Sequence, residues 1–247
     1  MIHYHGTPLT PRSELQKLAG KNFCVSFADP RDADWCLAHA QSVMWDNGAY
    51  SHFTQDKDKK NFGPEADGYA YWNDYFDWLE PRLGHPHWAV QPDIIDGDVE
   101  SQRDLTQHAP WPFDALFGAP VWHMALSIDW LLEIADHWPR FCFGSSGRYW
   151  QVGSLEWERR CDLAWNALEK RGLRPWVHMM RGLSIAGGNR WPFSSADSVN
   201  VARNYKDTAT CPEHMARRID AIQTPVSWSS QPEQIALEMA NKIAMRK

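Results

Sequence analysis

Three aspartates stand where a short apolar run breaks off: Asp46 in VMWDNGAYS, Asp93 in QPDIIDG and Asp197 in PFSSADSVNVARN. A carboxylate in such a place either closes a turn or caps the next helix, or it stands at the mouth of a barrel and does chemistry. The DNG of the first stretch is strong turn chemistry, because Asn and Gly both tolerate positive φ. Three aspartates on one rim would exceed what turns require. Other chemistry-bearing residues end or punctuate apolar runs in the same way: His3 and His5, Ser26, His123, Gly144 with Ser145 and Ser146, and His178.

Whether these groups share a rim depends on the elements that carry them. Eight β-prone runs recur: IHYH (2–5), FCVSF (23–27), VMW (43–45), HWAVQP (87–92), APVWHM (119–124), RFCFG (140–144), RPWVHMM (174–180) and PFSSA (192–196). Between them lie stretches of helical periodicity, the clearest being DGYAYWNDYFDWLEPRL, SIDWLLEIADHW and SLEWERRCDLAWNALEKRG. The last two open on a serine that can cap the free N–H groups of a first turn. Strands alternating with helices imply parallel pairing, and eight such units in 247 residues is the size of a (β/α)8 TIM-type barrel. An open doubly wound sheet is the alternative. Neither GxGxxG nor GxxxxGK[ST] occurs, so the sequence makes no case for a Rossmann or P-loop nucleotide site. The expected organisation is one α/β barrel domain over 1–247, with a polar loop over the mouth at 55–68 and a closing helix at 231–247. In a barrel of this type the catalytic groups sit at the C-terminal ends of the strands.

With 43% apolar residues the chain can bury a large core. No apolar run approaches the roughly 18 residues of a spanning helix, and the start MIHYHGTPLTPR has no signal-peptide core, so a cytoplasmic protein is expected. Five cysteines, widely spaced and without CxxC pairs, fit reduced thiols better than a disulfide frame or a zinc knuckle. The net charge of −6 is uneven: residues 1–139 carry 9 Lys/Arg against 21 Asp/Glu, and residues 140–247 carry 16 against 10. A polyanion would therefore meet mainly the C-terminal half.

The order WDNGAYS, QPDIIDG, FGSSGRYWQVGS, PFSSADSVNVARN resembles the tRNA-guanine transglycosylase superfamily, and most closely its small DpdA-like relatives that act on DNA. The resemblance runs from HYHGTP to ARN and is most specific around Asp197. It implies exchange of guanine in DNA for a 7-deazaguanine base, such as 7-cyano-7-deazaguanine, through a covalent glycosyl-enzyme intermediate. Asp197 matches the family's nucleophile and Asp46 its second carboxylate, a general acid/base. Asp93 matches the carboxylate that accepts hydrogen bonds from the guanine-like edge; its other role would be a helix cap, which Asp96 or Asp98 could fill instead. Gly144 and Ser145 resemble the Gly-rich strand end that meets the base carbonyl, and Tyr50 with Met179 or Met180 the pair that sandwiches the base. His123 stands where the family usually carries a side-chain amide. With the positive charge concentrated after residue 139, Arg148, Arg181, Arg190, Arg203 and Lys206 lie in or near predicted rim loops and are expected to contact DNA phosphates around a flipped nucleotide; a protein partner that opens the duplex is compatible with this reading.

Relatives that act on tRNA carry CxCxxC and a later His beyond the nucleophile segment; here that region offers only Cys211 and His214. One Cys and one His cannot close a tetrahedral site, so neither structural zinc nor another cofactor is expected. A different chemistry fits some of the same positions. The HxH pair His3 and His5, with His123, His178 and Asp197, resembles the metal-ligand layout of amidohydrolase barrels. A catalytically inactive DNA-binding barrel is a third reading.

Overall fold

All eight predicted runs form strands in the computed structural model, which describes residues 1–55, 68–182, 190–206 and 211–229. The strands are β1 (Ile2–Gly6), β2 (Asn22–Ser26), β3 (Ser42–Asp46), β4 (Trp88–Val90), β5 (Gly118–Ala119), β6 (Val121–His123), β7 (Arg140–Gly144), β8 (Trp176–Met179) and β9 (Ser195–Ser198). Every pairing is parallel, in the order β5-β4-β3-β2-β1-β9-β8-β7-β6. The two ends of this order, β5 and β6, are separated in the chain only by Pro120. Proline cannot donate to the ladder, but its carbonyl accepts the Cys142 N–H at 2.9 Å. One predicted run thus supplies both edges, and the sheet curls into a nearly closed barrel.

Around it lie α1 (Arg12–Gln16), α2 (Ala33–His39), α3 (Ala49–Gln55), α4 (Gly68–Leu79), α5 (Val99–His108), α6 (Ile128–His137), α7 (Leu155–Lys170), α8 (Asn200–Asn204) and α9 (Pro212–Asp220). The predicted caps form: Ser127 accepts from Trp130 N at 3.1 Å and Ser154 from Trp157 N at 3.3 Å. Helix α7 buries Trp157, Cys161, Ala164, Trp165 and Leu168, the one-sided stripe that the 3.6-residue period dictates. Most of the 55–68 insert and the whole of the 231–247 tail lie outside the described residues. Among those described, no helix is long and apolar enough to cross a membrane.

Strand parity divides the side chains into two sets. Tyr4, Met44, Trp88, Val90, Ala119, Val121 and Cys142 form the barrel's interior cluster. Their chain neighbours, among them Val43, Trp45, Phe141, Phe143, Val177 and Ala196, pack outward against the helices. Alternation with period two is a property of the extended backbone, so register alone decides which polar residues look into the mouth. Below the mouth the interior is filled: Trp88 Nε1–H donates to Tyr4 Oη at 2.8 Å, and the Arg140 guanidinium lies over both Trp88 and Trp176.

Candidate active site

Asp46 is the last residue of β3. It pairs with Ser26 on β2, on the interior side shared with Met44 and Cys24. The DNG that follows is both a turn and part of the site. Asn47 and Gly48 carry the turn: Asn47 Oδ1 accepts the Ala49 N–H at 3.0 Å, and Gly48 sits at φ 77°. A Cβ at position 48 would lie 2.7 Å from the Tyr71 hydroxyl and 2.9 Å from Ala28 N, so the backbone itself fills that space. Asp46 is left to point inward, its Oδ2 accepting the Gly48 N–H at 3.1 Å. Burial drives its pKa from the ordinary 3.8 up to about 6. The Gly48 N–H opposes that rise, while the charges of Asp197 and Asp93 add to it. A carboxyl group so placed exchanges a proton near neutrality.

Asp197 lies on β9, paired with Tyr4 and therefore also interior. It is 9% exposed. Its Oδ1 accepts the Arg181 backbone N–H at 2.7 Å and lies 3.1 Å from His178 Nε2. A carboxylate only accepts, so the His178 proton sits on Nε2, and Nδ1 takes the Ser195 hydroxyl proton across 2.6 Å. Both hydrogen bonds that Asp197 accepts among the described residues land on Oδ1. Oδ2 accepts no hydrogen bond among the described residues.

Asp93, three residues beyond β4, is buried and caps no helix; α5 is capped by Asp98, which accepts from Ser101 N at 2.8 Å. Asp93 instead joins two rim residues. Oδ1 takes the Asn47 amide N–H at 2.6 Å and Oδ2 lies 2.7 Å from His123 Nε2. Asn47 Nδ2 also donates to the Gln91 carbonyl at 2.7 Å, and Tyr75 of α4 reaches the carbonyls of Trp45 and Val90. Together they tie the ends of β3 and β4, whose register pairs stop at Trp45 and Ala89. Since Nε2 faces a carboxylate, the His123 Nε2 carries the proton. Its Nδ1 is buried without a hydrogen-bond partner among the described residues, and a buried ring nitrogen in that state is one that a ligand can satisfy.

Gly144 is the cross-strand partner of His123, and a Cβ there would come within 3.0 Å of Nδ1 and 2.9 Å of a Val121 methyl. The glycine therefore makes room for the ring. Ser145 and Ser146 are taken up by the frame: Ser145 Oγ accepts from Trp157 Nε1 and Ser146 Oγ from Ala125 N. Parity separates the two methionines, which the sequence left as alternatives. Met179 packs in the outer layer, whereas Met180 packs against the interior cluster. Tyr50, in the first turn of α3, is 46% exposed, with the Arg181 guanidinium 4.4 Å from its ring centroid.

Two sequence expectations are corrected. Arg190 is no open phosphate ligand: it bridges the buried Asp162 at 2.5 Å and Glu158 at 3.3 Å and stacks on Trp191. Arg148, Arg181, Arg203 and Lys206 are exposed. The HxH pair does not share a face with Asp197. His3 pairs with the outward Ala196, and His5 Nε2 bonds Asp220 of α9 at 2.9 Å, beside Lys21. Burial first, then the neighbouring His5, lowers the His3 pKa to about 4. The amidohydrolase layout would need these rings inside the barrel with His178. Cys211 is the N-cap residue of α9, and its carbonyl accepts the His214 N–H. Among the described residues no group of three or more His, Cys, Asp or Glu could hold a metal ion.

Sequence reasoning missed Asn47, hidden inside its turn motif, and Tyr75, one aromatic among many on α4. It listed His178 at a strand end but gave it a role only as a metal ligand, not as the holder of Asp197. No family model matches the chain, and no curated protein matches it.

Proposed function

We propose that this protein exchanges guanine in DNA for a 7-deazaguanine base, with Asp197 as nucleophile and Asp46 as general acid and base. The observation that carries the reading is the division of labour between two interior carboxylates at strand ends. One is held by two donors on a single oxygen, and the other is buried into a pKa of about 6. In this reading Asp197 Oδ2 attacks the anomeric carbon as the bond to guanine breaks, and Asp46 gives its proton to the departing base. The incoming base then surrenders its ring N–H proton to Asp46 and attacks the same carbon, releasing Asp197. Asp46 ends the cycle as it began.

Within the same reading the barrel counts as eightfold, β5 and β6 making one strand, in a single domain without the zinc-binding part of tRNA-acting relatives. His123 Nδ1 and the Gly144 edge meet the base, Asp93 positions His123 and accepts from the base, and Tyr50 and Met180 flank it. Arg148, Arg181, Arg203 and Lys206 supply the charge that an anionic chain needs to meet DNA in the cytoplasm. The test is nucleoside analysis of DNA after incubation with the protein and 7-cyano-7-deazaguanine. Appearance of the deazaguanine nucleoside is expected; no exchange with any deazaguanine base, in DNA or in tRNA, would overturn the reading.

A further inference from the structure

We infer that Arg181 covers the stacking face of Tyr50 until a nucleic-acid phosphate draws its guanidinium away, so that base binding waits on strand binding; this rests on the base-exchange reading above. The residue is unusual in its backbone. Arg181 has φ 58°, and it is the one non-glycine residue at positive φ among those described. Its N–H is spent on Asp197 Oδ1 at 2.7 Å, which anchors the main chain at the nucleophile. From there the side chain crosses the mouth, because β8 and β3 stand four places apart in the sheet order, and reaches the Tyr50 ring at 4.4 Å. One residue thus touches the loops of both carboxylates.

The side chain is held only lightly. Arg190 is fixed by two carboxylates, whereas Arg181 pairs with no carboxylate among the described residues and rests on an exposed ring. An exposed cation–π contact is weak, while a phosphate offers the guanidinium fork a charge-assisted, two-pronged partner. In the base-exchange reading the guanidinium, 4.4 Å from the ring centroid, takes up a face on which the base would stack. One ring face cannot hold both. A free base therefore meets a covered platform, and a bound strand uncovers it.

The experiment is a calorimetric titration of 7-cyano-7-deazaguanine into wild type, Arg181→Gly and the Arg181→Gly/Tyr50→Leu pair, each alone and saturated with a single-stranded guanine-containing oligonucleotide, and of that oligonucleotide into each protein; saturation should bring the wild-type base affinity up to that of Arg181→Gly. Glycine keeps the N–H that holds Asp197 and adopts positive φ without strain, so folding is preserved; thermal melting checks this. Arg181→Gly should bind the free base about 10-fold more tightly than wild type and the oligonucleotide about 10-fold more weakly. The gain for the base should vanish in the Tyr50→Leu background. Equal, measurable base affinity in wild type and Arg181→Gly would overturn the inference and leave base exchange standing. No base binding by any form, with or without oligonucleotide, would sink both.

Discussion

His178 grips Asp197 by one oxygen. With Nε2 3.1 Å from Oδ1, and the Arg181 N–H on that same atom, the carboxylate is oriented without its second oxygen being consumed. This arrangement makes separable predictions for holder and held. Asp197→Asn should form no covalent adduct with a guanine-containing oligonucleotide, because an amide is a poor nucleophile toward an oxocarbenium-like carbon. His178→Phe keeps a ring of similar size among Tyr4, Trp88 and Trp176. It should still form the adduct, but about 10²-fold more slowly, since the nucleophile is present and misplaced. Denaturing electrophoresis reads both. An adduct that survives in Asp197→Asn and disappears in Asp46→Asn would reverse the two roles.

Asp46 should set the pH dependence. Its protonated form gives the proton, so kcat/KM should fall as pH rises through about 6, and that limb should be missing in Asp46→Asn, with turnover roughly 10²–10⁴-fold lower. Stability follows the opposite logic from a salt-bridged carboxylate. A folded pKa raised from 3.8 to about 6 means that the native state holds the proton more tightly than the unfolded chain. Stability is therefore lost as pH rises from about 4 to 6 and stays lower above that window. Asp46→Asn should raise the melting temperature at pH 8 by removing a penalty of at most about 3 kcal/mol. At pH 4 the variant and wild type should melt together. A variant less stable than wild type at pH 8 would mean that the buried carboxylate is not under strain.

The sequence made the barrel's strands legible because each is short, β-prone and bounded by turn residues, and because the order of strand and helix leaves parallel pairing as the economical solution. It also placed Asp46, Asp93, His123 and Asp197 at strand ends. What it could not supply was the face. HxH on β1 says correctly that His3 and His5 point the same way, but the partner that makes the outer side habitable for them, Asp220, lies 215 residues beyond His5. The adjacent Met179 and Met180 are indistinguishable until β8 is aligned with β7, where Met179 pairs with the outward Phe143. Arg190 read as free for the same reason: its carboxylate partners stand on α7, outside its own loop.

The Asp93–His123 pair predicts which substitutions the base-binding side tolerates. His123 has an Nδ1 that is unpartnered among the described residues and an Nε2 on Asp93, so the group needed under the base-exchange proposal is a polar one with a second contact to Asp93. His123→Gln can keep both and should retain exchange within about 10-fold. His123→Phe fills the space beside Gly144 but leaves Asp93 Oδ2 without its donor, and should cost about 1–3 kcal/mol of stability together with most of the base affinity. Thermal melts and base titration separate the two effects. Equal base affinity in His123→Phe and wild type would remove His123 from the site.

Arg190 and Arg203 have the same charge and lie on the same half of the chain, yet they should behave as opposites. Arg203 is exposed on α8, directly after β9, and under the proposed function should act on a strand's phosphates. Arg203→Ala should weaken oligonucleotide binding across sequences and lower the salt slope by about one phosphate contact, with no change in melting temperature. Arg190 bridges Asp162, a buried carboxylate whose pKa burial already raises despite its bonds to Trp191 and to Arg190 itself. Removing the guanidinium takes away the cation that bridges this carboxylate at 2.5 Å. Arg190→Ala should therefore cost about 2–4 kcal/mol of folding free energy and leave the salt dependence of binding unchanged. Asp162→Asn in the same chain should restore part of the loss, since the buried charge goes with its partner. Salt-titrated binding and denaturant melts on the four proteins decide the matter: a steeper effect of Arg190→Ala on binding than on stability would return this arginine to the nucleic-acid surface.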